Sequence, residues 1–203
     1  MNKFIVFEGI DGSGKSTQIK LLEEKFILSN LNYKFFREPG GNFLSEEIRN
    51  ILLNKKLNIC DISETMLFLA SRAQLTHEKI KPALDKNNFV ICDRFSDSTF
   101  AYQGYGKKVD QDMIKSLNVF ATENIHPYLT ILLDISYDDS LDRRGGDIDR
   151  MESNSRAFFD NVRNGYKEIS NKYPDKYLIL DATLTVQHIH SLIWNRIKKD
   201  FNL

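Results

Sequence analysis

Gly9-Ile10-Asp11-Gly12-Ser13-Gly14-Lys15-Ser16 follows an apolar run, Phe4-Ile5-Val6-Phe7, and precedes Ile19, Leu22 and Phe26 at helical spacing. The octet satisfies G-x-x-x-x-G-K-[ST]. No other feature constrains the fold as strongly, because this pattern works only between a strand end and a helix start. Its glycines let the backbone turn so that N–H groups and the helix N-terminus face an anion. On that reading Gly9, Ile10, Asp11, Gly12, Ser13, Gly14, Lys15, Ser16 and Thr17 bind a nucleotide. Lys15 reaches the β- and γ-phosphates, and the Ser16 hydroxyl ligates Mg²⁺.

The rest of the chain agrees with a strand-loop-helix opening. Five short apolar runs, Phe4–Phe7, Tyr33–Phe36, Phe89–Cys92, Leu129–Leu133 and Tyr177–Leu180, read as buried strands. Between or after them, helical spacing recurs at Leu44, Ile48, Ile51 and Leu52; at Met113, Leu117 and Phe120; at Phe159, Val162, Tyr166 and Ile169; and at Val186, Ile189, Ile193 and Ile197. Residues 61–84 read as one longer helix, with Pro82 marking a kink or the last turn. Strands alternating with helices predict an α/β sandwich around a parallel sheet. Each strand ends in charge: Glu8, Arg37 with Glu38, Asp93 with Arg94, Asp134 and Asp181. Ligands of such sheets bind beyond the strands' carboxyl ends, so the ionisable groups gather where a charged ligand sits.

Composition excludes several alternatives. The 203 residues carry 28 Lys plus Arg against 28 Asp plus Glu, which argues against a protein that coats nucleic acid polymers. No apolar run is long enough for a membrane span, and the N-terminal run is too short for a signal-peptide core, so the expected location is cytoplasmic. Cys60 and Cys92 match no metal-ligand spacing and read as reduced, structural residues. His77, His126, His188 and His190 read as surface or turn positions. Without a repeat or linker, 1–203 reads as a single domain.

A phosphate-binding loop names a ligand class, not a reaction. A switch GTPase should carry an Asn-Lys-x-Asp guanine reader, but Asn171-Lys172 is followed by Tyr173-Pro174. Asp142-Arg143-Arg144-Gly145 spells D-x-x-G away from any strand end. The chain is short for a motor, which leaves a kinase with a second anionic substrate. Arg37-Glu38-Pro39-Gly40-Gly41 is a turn whose Arg/Glu pair either holds the loop or faces a phosphate. Phe68 and Arg72 share a helix face; a ring and a guanidinium together suit a nucleobase, the alternative being a core ring and a solvated charge. Asp93 suits an Mg²⁺ shell, and Arg94 a bidentate phosphate contact. Ser98 to Gly104 adds hydroxyls, a ring and an amide suited to a base and sugar.

These segments, with Leu67-Phe68-Leu69-Ala70-Ser71-Arg72-Ala73-Gln74, Asp93-Arg94-Phe95, Ala101-Tyr102-Gln103-Gly104 and Asp149-Arg150-Met151-Glu152, stand in the order typical of bacterial thymidylate kinases, which the chain resembles over most of its length. The resemblance implies the P-loop NTPase three-layer sandwich, a five-stranded parallel sheet with helices on both faces and a short lid at about 143–151. It also implies transfer of the ATP γ-phosphate to dTMP with Mg²⁺, and a homodimer. By the same resemblance Phe68 stacks on thymine, Arg72 donates to its O4, Thr99 and Gln103 meet the remaining base edge, and Tyr102 crowds the 2′ position. Arg94, with Arg49, holds the dTMP phosphate; Asp11 contacts the sugar or orients Arg94; Glu38 and Pro39 belong to the acceptor site; and Asp93 supports the metal. The P-loop has Gly12 and Ser13 where one branch of the family places an arginine. A lid cation is therefore expected at Arg144, then at Arg143 or Arg150. Asn42 and Tyr128 depart from the family pattern, which usually has Thr and Asp there.

Overall fold

Phe4–Glu8 (β1) is apolar at four consecutive positions and buried at all five, as a strand covered on both faces requires. Its alternate residues feed two cores. Phe4 and Val6 join Leu75, Ile80, Val90 and Cys92 on one side of the sheet, while Ile5 and Phe7 join Ile19, Leu22, Phe26, Phe159 and Ile193 on the other. The computed structural model describes residues 2–143 and 150–203.

Tyr33–Arg37 (β2), Phe89–Asp93 (β3), Leu129–Asp134 (β4) and Tyr177–Asp181 (β5) complete an all-parallel sheet of order β2-β3-β1-β4-β5. This is the expected five-stranded sheet, with one correction. β2 and β5 form its edges, and Lys34, Phe35 and Ile179 reach solvent, so these two runs are not buried strands. The chain leaves β1 for β2 and β3 on one side, then crosses to β4 and β5 on the other. The switch point therefore lies at the C-terminal end of β1, where an open parallel sheet leaves a crevice. In the pairing register Arg37 stands opposite Asp93, and Asp134 opposite Asp181.

The helices are Lys15–Leu28 (α1), Phe43–Leu53 (α2), Asp61–Leu75 (α3), Lys81–Asp85 (α4), Ser96–Thr99 (α5), Gln111–Ala121 (α6), Tyr137–Arg143 (α7), Arg156–Lys172 (α8) and Val186–Phe201 (α9). α1, α8 and α9 build one core, and α3 and α4 contribute to the other. The long helix expected over 61–84 is a continuous helical run to Asp85, widened to π-type turns at Thr76–Ile80. Pro82 explains the widening: it has no N–H, and its ring crowds the carbonyl one turn earlier.

One helix buries a different face from the one its apolar spacing predicts, and two others bury only part of theirs, α2 at Ile48 and Leu52 and α3 at Leu69. α6 buries Ile114, Asn118 and Ala121 and leaves Met113 52% and Phe120 84% exposed. α3 buries Glu64, Thr65 and Arg72 while Ile62 and Met66 face out, and α2 exposes Leu44 and Ile51. The cause is polar: Asn118 Oδ1 accepts from Arg72 Nη1 at 2.7 Å, inside the protein. Of the two free cysteines, Cys92 is core, but Cys60 is exposed at the start of α3 and has no packing role. Asn42 caps α2 by accepting from Ser45 N–H at 2.9 Å, a task Thr also performs. Tyr128 packs its ring 5.0 Å from Phe201.

Candidate active site

The loop after β1 is shaped by close approach. At Gly9 (φ +137°) a Cβ would stand 2.5 Å from the Leu133 carbonyl oxygen, and at Gly12 (φ +81°) 2.5 Å from that of Ser140. α1 begins at Lys15 with no side-chain cap and no acidic residue in its first turn, leaving its N–H groups for an anion. Lys15 is buried, and its Nζ donates to the Gly9 and Ile10 carbonyls at 3.0 and 3.2 Å. Burial, with the Arg94 charge nearby, pulls its pKa below the ordinary lysine value.

This loop floors a cleft of about 620 Å³ that also meets Asp93, Arg143, Leu184 and Val186. A second pocket of about 110 Å³, lined by Pro39, Phe68, Arg72, Thr99, Tyr102 and Gln103 among others, lies beside it. Asp11, Glu38, Arg49 and Arg94 line both. The two spaces thus share one wall.

Arg94 stands at that junction in a left-handed conformation (φ +70°), rare for a side chain of its size. Its Nη2 donates to Asp11 Oδ1 at 2.7 Å, and its guanidinium lies 5.1 Å from the centre of the Tyr102 ring. Glu8 at the end of β1 accepts from Phe95 N–H, from Ser98 and from the Tyr166 hydroxyl at 2.8 Å. Burial, reinforced by Asp97, pushes the Glu8 carboxyl up to about 7. Neither Glu8 nor Tyr166 stands out in the sequence, where one reads as a strand end and the other as part of an apolar helix face.

The Arg37/Glu38 pair divides its work. Arg37 holds the loop, donating to both oxygens of Glu46 and to the Pro39 carbonyl at 2.8 Å. Glu38 turns inward and pairs with Arg72, whose Nη2 lies 2.6 Å from Glu38 Oε2. Arg72 is 1% exposed, not a solvated charge. Its Nε–H goes to Glu38, Nη1 to Thr99 and Asn118, and Nη2 to the Phe95 carbonyl. Four of its five N–H groups are committed to these hydrogen bonds, which leaves one on Nη2 outside them.

Arg144, Asp149 and most of the expected lid lie outside the described residues. Arg143 lines the phosphate cleft and donates to the Ala182 carbonyl at 2.8 Å. Arg150, expected as a lid cation, instead pairs with buried Glu64 at 2.6 Å and donates to the Leu52 carbonyl. Among the described residues no group of three or more His, Cys, Asp or Glu is poised to hold a metal. Asp93 Oδ1, however, is buried without a hydrogen-bond partner there, and Asp93 shares the phosphate cleft with Ser16. An unpaired carboxylate oxygen near a hydroxyl fits an Mg²⁺ that keeps most of its waters and borrows phosphate oxygens.

The thymidylate kinase family model matches residues 7–193. This chain belongs to the thymidylate kinase family. It is 43% identical over 192 residues to the thymidylate kinase of Kosmotoga olearia, covering 94% of this chain and 92% of that one. It is 44% identical over 197 residues to that of Thermosipho africanus, covering 97% and 98%. The crystal structure of the thymidylate kinase from Ehrlichia chaffeensis superposes with a TM-score of 0.79 at 35% identity, covering 96% of this chain and 97% of that one. Within this family member, reasoning from motifs omits the far end of the phosphate cleft. Ala182, Leu184 and Val186 follow β5 there and line the cleft next to Arg143. Only their position after a strand end signalled them.

Proposed function

We propose that this chain transfers the γ-phosphoryl group of ATP to dTMP, giving dTDP and ADP for dTTP synthesis, and acts as one domain over 1–203. One observation carries the reading: the phosphate cleft and the smaller pocket share Asp11, Glu38, Arg49 and Arg94. A monophosphate held by Arg94 and Arg49 meets a triphosphate on the Lys15 loop at that wall. The γ-phosphoryl migrates to an acceptor oxygen that is already anionic, so no general base is needed. What remains is alignment and charge neutralisation. Lys15 exchanges the loop carbonyls for phosphate oxygens, and Asp11 keeps Arg94 aimed. Phe68 stacks on thymine, Arg72 and Thr99 with Gln103 face its polar edge, and Tyr102 crowds the 2′ position. Ser16 and Asp93 hold Mg²⁺, which screens the phosphates when bound. The apolar end of the cleft at Leu184 and Val186 receives the adenine.

A coupled ADP-release assay across dTMP, dUMP, dCMP, dGMP and thymidine tests this. dTMP should give the highest kcat/KM; preference for another acceptor, or nucleotide binding without turnover of any, overturns the reading.

We also read the chain as a homodimer of the cytoplasm. No described helix is long and apolar enough to cross a membrane. α2 packs on α3 and α3 on α6, and Ile51, Ile62, Met66, Met113 and Phe120 on these helices face outward. So much outward apolar surface favours burial against a second copy. Sedimentation at micromolar concentration should give twice 23.6 kDa, and Phe120→Glu should favour the monomer. A wild-type monomer overturns the assignment.

A further inference from the structure

Behind the smaller pocket lies a carboxylate that none of the roles above uses. Glu64 is fully buried on α3, one turn before Phe68 and two before Arg72, so the three share a helix face. Its Oε1 accepts from Gln103 Nε2 at 2.8 Å. Its Oε2 accepts from Lys107 Nζ at 2.9 Å and pairs with Arg150 at 2.6 Å. Lys107 also pairs with Asp61 at 2.9 Å.

Both Glu64 oxygens face donors, Oε2 two cations and Oε1 the Gln103 amide nitrogen, so the side chain acts here as an acceptor. Gln103 accordingly turns its amide nitrogen toward Glu64. An amide that commits its nitrogen to one side presents its oxygen to the other. Gln103 is itself 1% exposed and lines the pocket that Phe68 and Arg72 also line. Among the described residues, no donor to Gln103 Oε1 competes with a ligand.

We propose that Glu64 is a positioning residue that sets the hydrogen-bond polarity of the base pocket, fixing Gln103 so that it offers an acceptor. The inference rests on the dTMP reading above and deepens it. An acceptor at this edge pairs with a pyrimidine whose N3 carries a proton, as thymine and uracil do. Cytosine presents a lone pair at N3 and meets Gln103 Oε1 as acceptor against acceptor. If the amide were free to rotate by half a turn, it would offer a donor and the clash with cytosine N3 would be relieved. Glu64 removes that option without touching the ligand.

The test measures kcat/KM for dTMP and dCMP in the wild type, Glu64→Gln and Glu64→Asp, with calorimetric binding of both monophosphates in the absence of ATP. Glu64→Gln installs a neutral amide that offers either a donor or an acceptor and so no longer dictates the orientation of Gln103. Glu64→Asp keeps a charge for Lys107 and Arg150 on a side chain too short to hold Gln103, which guards against a variant that fails only because it unfolds. Both variants should lower the dTMP/dCMP ratio by about tenfold or more, through KM and Kd for the monophosphates, with KM for ATP unchanged. Equal losses for both monophosphates, leaving the ratio within about twofold, would reduce Glu64 to a structural ion-pair partner and overturn the proposal. Wild-type protein that neither binds nor phosphorylates dTMP would instead overturn the kinase reading, and this inference with it.

Discussion

Lys15→Met should lower kcat by at least about 10³-fold while the protein keeps its fold and its melting temperature holds or rises. The activity loss follows from where the ammonium sits. Lys15 opens α1 at the base of the phosphate cleft, and charge on the migrating phosphoryl must be met by cations already in place. The stability half follows from the same burial. The Lys15 pKa lies below the ordinary lysine value because burial and the Arg94 charge disfavour the cation. A group with a depressed lysine pKa costs folding stability at neutral pH, and the cost is relieved as pH rises through the folded-state pKa. Met has a similar length and no charge, so it removes the cost along with the function. Steady-state kinetics and thermal melts on one preparation check both halves. A variant within tenfold of wild-type kcat would refute the role, and a sharply lowered melting temperature would refute the account of its burial.

What the sequence makes legible is what is local. The phosphate loop, the strand it follows and the helix it opens are adjacent in the chain, so residues 4–28 could be read directly. The charged strand ends were equally readable, because parallel pairing places every C-terminal end on one edge and needs no side-chain detail. The interior polar network was not. Apolar periodicity assumes that the buried face is the apolar face, and α3 and α6 break the assumption with Glu64, Arg72 and Asn118 inside. Their partners stand 27 to 46 positions away in sequence, as Thr99 and Asn118 do from Arg72 and Gln103 from Glu64. One signal was available: Glu64, Phe68 and Arg72 recur every four residues, so a face already assigned to a base also carried an acid. The fate of Arg150 illustrates the converse. Neighbouring glycines and arginines suggest a phosphate ligand, but a buried carboxylate from a distant helix claims it.

Arg72→Met should cost about 3–5 kcal/mol of stability in addition to acceptor binding, a fall of about 10 °C or more in melting temperature. The loss does not measure the worth of the ion pair. Arg72 and Glu38 are both buried, and removing the guanidinium strands the carboxylate together with the Thr99, Asn118 and Phe95 oxygens it satisfied. Burial already raises the Glu38 carboxyl above the ordinary value of 4.5, and Arg72 is what pulls it back. Without Arg72 the folded-state pKa rises further above the unfolded one. The variant should therefore be most stable below about pH 4.5 relative to wild type and lose stability as pH rises through the folded-state value. Adding Glu38→Gln removes the stranded charge, so the double variant should regain much of the melting temperature and lose the pH dependence. It should not regain dTMP affinity, because the base pocket still lacks the cation that orders Thr99. Melts from pH 4 to 9, with dTMP binding on the same variants, separate the two effects. A single variant as stable as wild type at neutral pH, or a double variant no more stable than the single, would show that the Arg72–Glu38 pair does not hold the acceptor pocket together.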